Sequence, residues 1–395
     1  MLFCCNVFVI CWLLNNVISF DKIISQSLIN YFGPTDVTLH LSNTTVDKLF
    51  ELNMEIDFIC VGKGHEHINR TFPMKYLSTQ TISYKNKINL QADVFETSIT
   101  LPSEHIIIPS VKLYYVDNPN KEFIDSIPLT YKFKDESSSI VHYLYKTNQI
   151  NHISFSIVKD KKYGDLTLYF GGLPSEVTTQ YKYTTKCKVP IHYDKWGCSL
   201  NTVNIKRLNN TNKMIYVNKY PFYFQSNTKG IHAPKDFMMF MYENVIKDLL
   251  DKHLCWISKV NDSLEEQIKC YRNTSSVLID YVEIVINGKV FTMIKKDLFL
   301  IYADGNEFII VNNKYSDNEW IIGNVFLNTY ITYFDYSDKS ITFYTEEQLE
   351  TIVGYGKEGE EETIKNILML CSIIMVLNII FMFILKITKK IDEYW

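Results

Sequence analysis

His65 and His67, with Glu66 between them, offer two imidazoles and a carboxylate within one short run, GKGHEH at 62–67. Such groups ligate zinc and related ions, but a site needs further ligands at a defined spacing. None follows, so a solvated loop is the plain reading and no metal site is expected. The chain holds no Gly-x-Ser-x-Gly, no H-E-x-x-H and no phosphate-cradling glycine loop, and no cofactor is expected. Asp304-Gly305 lies between the β-rich runs 299–302 and 308–311, where a hairpin turn accounts for it. The formal charge of −4 argues against nucleic acid as a partner.

Two apolar segments bracket the chain. Residues 2–14 are apolar and meet Asn15-Asn16, a length suited to a secretory signal over 1–19. Residues 367–385 are uncharged, a length that just crosses a bilayer core. Glu358, Glu360, Glu361 and Glu362 precede this segment, and Lys386, Lys389 and Lys390 follow it. Positive flanks favour the cytoplasmic side. The expectation is a single-pass type I glycoprotein of the secretory pathway or cell surface. An acidic stalk over 351–366 and a tail over 386–395 complete it. Sequons at Asn43, Asn69, Asn209, Asn261 and Asn273 fit that route.

Of nine cysteines, Cys4, Cys5 and Cys11 fall in the first segment and Cys371 in the last. Short loops favour disulfides Cys187–Cys198 and Cys255–Cys270, with Cys60 buried outside any disulfide. Spacing alone leaves that connectivity open.

The elements between these ends are β-rich, with 47% apolar residues to fill a core. The stretch 320–344, WIIGNVFLNTYITYFDYSDKSITFY, reads as a strand ending at Gly323 and a helical turn over 324–328. Two strands over 330–334 and 340–344 follow. Glycine suits the corner where strand gives way to helix. Upstream, 282–286 and 289–293 flank Asn287-Gly288, a strong hairpin signal. After Pro234, Phe237, Met241, Val245 and Leu249 recur at helical spacing.

Residues 320–344 resemble the closing segment of the pepsin-like aspartic proteases, W-I-L-G-D-x-F through F-D, with Asn324 in place of the usual Asp. Tyr31-Phe32-Gly33, 153–158, 164–172 and 196–203 resemble further family segments in the family's order. The resemblance spans about 31–345. It implies an all-β, bilobal pepsin-like fold with an N-terminal lobe over 20–190 and a C-terminal lobe over 191–350. The anchored layout is similar to membrane-bound members such as the plasmepsins and β-secretases.

The resemblance also locates the chemistry. With Ile59-Cys60-Val61 as anchor, Asn53 falls where the family carries its first catalytic Asp, Met54 at its Thr and Glu55 at its Gly. With Ile231 and Pro234 as anchors, Gln225 falls on the second Asp, and Ser226 and Thr228 keep the family's hydroxyls. Tyr84 falls on the tyrosine of the flap, the hairpin that closes over substrate, and Lys85, Asn86 and Lys87 replace its glycine-rich tip. Aspartic proteolysis needs two carboxyl groups sharing a proton around one water. Asn53 and Gln225 are amides and cannot cycle a proton. Met54 also removes a hydroxyl that braces the lobes in the family. The expectation is a non-catalytic binder of an extended peptide or protein, contacting it through Tyr84, Ser226 and Thr228. The competing expectation is an active endopeptidase that uses Asp57, although Asp57 lacks the Thr-Gly that should follow.

Overall fold

The computed structural model describes residues 24–346, apart from 30–35, 42–46, 58, 63–73, 85–87, 104, 117–125, 134–135, 137–138, 160–165, 208–212, 227, 229, 260–265, 272–278, 302–304 and 314–315. The expected signal, stalk, span and tail, the five sequons and the His65-Glu66-His67 run lie outside the described residues. Among the described residues, no helix is long and apolar enough to cross a membrane. The chain divides into two compact units, 1–345 and 346–395, and only Glu346 of the second is described.

Within the first unit, β-branched and aromatic runs form strand after strand, and helices are short. Leu166–Phe170 alternates buried and half-buried, as a strand with one face on the core should. Tyr281–Ile286 and Lys289–Ile294 form the expected hairpin. Asn287 (φ 48°) and Gly288 (φ 74°) both take the left-handed backbone its tight turn requires.

One sheet of thirteen strands runs from Tyr181–Lys188 through Ser340–Glu346, Ile331–Asp335, Ser154–Lys159, Leu166–Phe170 and Ile24–Ile29. It continues through Asp36–Leu41, Asp47–Asn53, Ser126–Pro128 and Ile59–Gly62, and ends on the long strands Ile106–Val116, Ile88–Leu101 and Lys75–Tyr84. A second sheet, of eight strands, carries Pro221–Phe224, Trp320–Ile322 and Ile231–Ala233 together with the 281–294 hairpin. A third, of four strands, contains the hairpin Cys255–Lys259 and Glu266–Cys270.

The last two strands cross from one half of the chain to the other. Ile331–Asp335 pairs antiparallel with Ser154–Lys159, Thr332 opposite Ile157 and Asp335 opposite Ser154. Around this seam an aromatic cluster closes on Trp196. Its ring lies 4.9 Å from Tyr131, 6.0 Å from Phe155, 5.2 Å from Phe334 and 4.9 Å from Tyr336. Its Nε1–H donates to Leu129 O at 2.9 Å, so the buried indole leaves no polar atom unsatisfied.

Three elements differ from expectation. Ile24–Ile29, on which the sequence reading places no element, is a strand paired with Leu166–Phe170 and Asp36–Leu41. Ile88–Leu101 runs unbroken for 14 residues, although its sequence pattern alternates clearly only over 85–92 and 96–101. The helix after Pro234 is interrupted between Lys235–Met241 and Lys247–Asp251 by a wider turn, in which Lys247 N–H reaches back to Tyr242 O. The extra residue places Val245 and Ile246 together in the core and leaves Leu249 at its edge.

Candidate functional site

Asn53 ends the strand Asp47–Asn53. Its neighbour Ser126–Pro128 runs parallel, with Leu52 opposite Ile127 and Asn53 opposite Pro128. Leu129 N–H donates to Asn53 O at 2.7 Å, fixing the end of the strand. The chain then leaves the sheet and re-enters it at Ile59–Gly62. Asn53 shapes that loop with its own side chain. Its Oδ1 accepts from Glu55 N–H at 2.8 Å and from Ile56 N–H at 3.3 Å, an Asx turn. Asn53 is 0% exposed, Met54 and Ile56 are buried beside it, and its Nδ2 is buried without a hydrogen-bond partner among the described residues.

Gln225 follows the strand Pro221–Phe224, which runs parallel to Trp320–Ile322. Its N–H donates to Ile322 O at 3.0 Å, and its carbonyl accepts from Thr228 N–H at 3.4 Å. The loop beyond it is clamped onto the corner at Gly323. Gly323 N–H donates to Gly230 O at 3.0 Å, and Asn324 N–H to Thr228 O at 2.7 Å. A Cβ on Gly323 would collide with the carbonyl oxygens of both Thr228 and Gly230. The glycine is therefore required for close approach. Its backbone, φ −94° and ψ −161°, is one any residue can adopt, which corrects the expectation that conformational freedom selected it.

The two loci meet. Ser226 Oγ donates to Leu52 O at 2.6 Å, a buried bond between residues 174 positions apart. Leu52 immediately precedes Asn53, and Ser226 immediately follows Gln225. A serine hydroxyl thus ties the two loops together.

A second link runs through Lys195. Its ammonium lies 3.3 Å from a Glu55 carboxylate oxygen, and the two side chains are 22% and 14% exposed. The same ammonium sits 5.5 Å from the centroid of the Tyr223 ring, two residues before Gln225. Tyr193 packs against Tyr223 at 5.0 Å. Burial, with a smaller contribution from Glu319, pushes the Tyr223 phenol up to about 12, so it stays neutral. The disulfide Cys187–Cys198 closes the loop that carries Tyr193, Lys195 and Trp196. Cys255–Cys270 is also formed, and Cys60 is buried outside either bond.

The remaining expected residues lie on the same loops or on the long hairpin. Tyr84 closes Lys75–Tyr84 opposite Ile88, and the hairpin tip 85–87 lies outside the described residues. Asp57 is half-buried on the loop four residues past Asn53. Thr228 is buried, 9% exposed, and Gln225 is 8% exposed. Among the described residues, no three His, Cys, Asp or Glu side chains group as metal ligands do. The Glu55–Lys195 pair has no motif or periodicity that marks it in the sequence.

Comparison with known proteins fits this geometry. The family profile for eukaryotic aspartyl proteases matches residues 81–345. Among solved structures, the aspartic proteinase from Irpex lacteus superposes with a TM-score of 0.61 at 12% identity. It covers 83% of this chain and 99% of its own. A search of curated proteins returns no match.

Proposed function

The chain belongs to the eukaryotic aspartyl protease family, and we propose that it serves there as a peptide- or protein-binding member that hydrolyses nothing. The observation that carries this is the identity of the two residues beside the Leu52–Ser226 bond. The loops are held in register, each on its parallel strand pair, yet each presents an amide where the family's reaction needs a carboxyl. A scaffold without its proton carriers retains the ability to bind an extended chain between its halves, strand to strand. The clamp on Gln225 and the Asx turn on Asn53 maintain the loops, which is what a binding role requires.

We further propose that the protein works on the lumenal or extracellular side of a membrane, anchored by 367–385 and glycosylated at the sequons. Its apolar segments, their charged flanks and its two disulfides support that placement.

The test is retention. Full-length protein in detergent is incubated with a mixed pool of acetylated eight-residue peptides, and retained peptides are identified by mass. Peptides held at their original mass support the reading. No retention at any pH between 4 and 7.5 contradicts it.

A further inference from the structure

We propose that the outer face of the strands Lys213–Val217, Gly197–Lys206, Tyr281–Ile286 and Lys289–Ile294 is an interface with a second copy of this chain, packed sheet on sheet about a two-fold axis parallel to the strands. The proposal stands apart from the peptide-binding reading above.

The four strands are antiparallel neighbours in that order. Tyr216, Val203, Ile284 and Phe291 lie side by side across them, and all are buried on the core. A sheet with one face on the core should turn polar side chains outward on the other. This one turns out apolar ones. Val217 is 70% exposed, Ile215 60%, Val290 50% and Ile294 45%. The register sets them along both edges of a single face. Val217, Thr202, Val285 and Val290 form one row, and Ile215, Asn204, Glu283 and Thr292 the next. Single exposed apolar residues are ordinary, but apolar residues gathered on one sheet face mark a contact surface.

The charge on this face is matched within the chain. The Glu283 carboxylate accepts from Lys213 Nζ at 2.7 Å and from Asn204 Nδ2 at 3.0 Å. Lys213 thereby lies along the sheet, its ammonium 5.4 Å from the centroid of the Tyr281 ring. A covering surface meets a paired carboxylate rather than a bare one.

The strand order selects the partner. Aligned sheets pack with their strands within about 30° of each other, so rows stay over rows. With the axis along the strands, Lys213–Val217 lies over Lys289–Ile294 of the second copy, and Gly197–Lys206 over Tyr281–Ile286 of the second copy. Val217 then meets the second copy's Val290, and Ile215 its Thr292. Asn204 meets the second copy's Glu283, and Lys206 its Tyr281. The symmetry makes each of these contacts twice. An axis across the strands would instead set Glu283 against Glu283. The face is thus complementary to itself in the one arrangement and opposed in the other.

The test is sedimentation equilibrium of the full-length protein in density-matched detergent, at concentrations up to about 50 μM. Wild type should dimerise in this range. Ile215→Glu places an unpaired carboxylate in the interface twice and should weaken the dimer about a hundredfold. Adding Thr292→Lys should restore most of that loss, because each new carboxylate then faces a lysine of the second copy. Within one chain positions 215 and 292 are three strand spacings apart, about 14 Å, too far to pair, so the rescue reports the contact between copies. Ile257→Glu, exposed on the four-stranded sheet, should leave the dimer unchanged. Near-ultraviolet circular dichroism checks that each variant is folded, and Val290→Glu replaces Ile215→Glu should the latter not fold. Wild type that stays monomeric overturns the proposal. A dimer that Ile215→Glu and Val290→Glu leave intact also overturns it, since the contact then lies elsewhere. A lost dimer that Thr292→Lys does not restore overturns the stacking on which the proposal stands.

Discussion

Ser226 Oγ donates to Leu52 O at 2.6 Å, and this bond holds together two loops that the chain builds 174 residues apart. It is fully buried, and it stands one residue from each of the amides Asn53 and Gln225. Replacing Ser226 with Ala should leave the Leu52 carbonyl without that donor and destabilise the fold by about 1–3 kcal/mol. Ser226→Thr should retain most of the stability. Chemical denaturation of the two variants beside wild type measures both, and equal midpoints for all three would show that the bond contributes nothing.

Gly323→Ala should be more damaging than an ordinary glycine substitution. The added methyl would meet two carbonyl oxygens that are themselves held by Gly323 and Asn324 N–H groups. Overpacking in such a site costs about 1–3 kcal/mol or more. Denaturation midpoints and near-ultraviolet circular dichroism report the loss. A variant as stable as wild type would mean that the 225–230 loop can shift without penalty.

The Glu55–Lys195 pair gives a third expectation. Lys195→Met should leave a mostly buried carboxylate without its cation and cost about 1–2 kcal/mol, reduced from a fully buried pair by the remaining exposure. The double variant Glu55→Gln with Lys195→Met should recover part of that loss. A double-mutant cycle with no coupling would dismiss the pair as incidental.

His142 should make stability fall on acidification. Burial lowers its pKa from the ordinary imidazole value, opposed by nearby Glu136 and reinforced by Lys146. Its ring packs against Phe133 at 5.6 Å and Tyr336 at 5.2 Å, and its Nδ1 lies 2.8 Å from Ser139 Oγ. The unfolded chain therefore takes up the proton first. The His142 contribution is fully present above about pH 6.5, the unfolded value, and is lost as the pH drops below it. Melting temperatures between pH 7.5 and 4.5 should decline less steeply for His142→Gln than for wild type. Parallel slopes would exclude His142 as the source.

Much of the architecture is legible in the sequence because its signals are local. The Asn287-Gly288 turn, the strand–corner–helix of 320–327 and the apolar face after Pro234 each announce themselves within a dozen residues. The positions of Asn53 and Gln225 follow from anchors such as Ile59-Cys60-Val61 and Pro234, which lie close by in the chain. What escapes is non-local or weakly patterned. Ile24–Ile29 (ISQSLI) has little alternation and is held by Leu166–Phe170, far downstream. The Ser226 brace and the Lys195 link join residues 174 and 140 positions apart, which no spacing rule connects. The role of Gly323 is set by two carbonyls that arrive from another loop.

The central claim is that this aspartyl protease scaffold turns over no peptide, and single-turnover incubation tests it most directly. Wild type, Asp57→Ala and the double variant Asn53→Asp with Gln225→Asp are each held in excess over the same peptide pool from pH 3 to 7.5, with products read by mass. Two new carboxyl groups would still have Met54 and Glu55 beside them, where the resemblance implies Thr and Gly, and misplacement by about 1 Å costs on the order of a hundredfold in rate. The account predicts no products from wild type or from Asp57→Ala, and none above that background from the double variant. Cleavage by wild type that disappears in Asp57→Ala would contradict it and establish a shifted catalytic carboxylate.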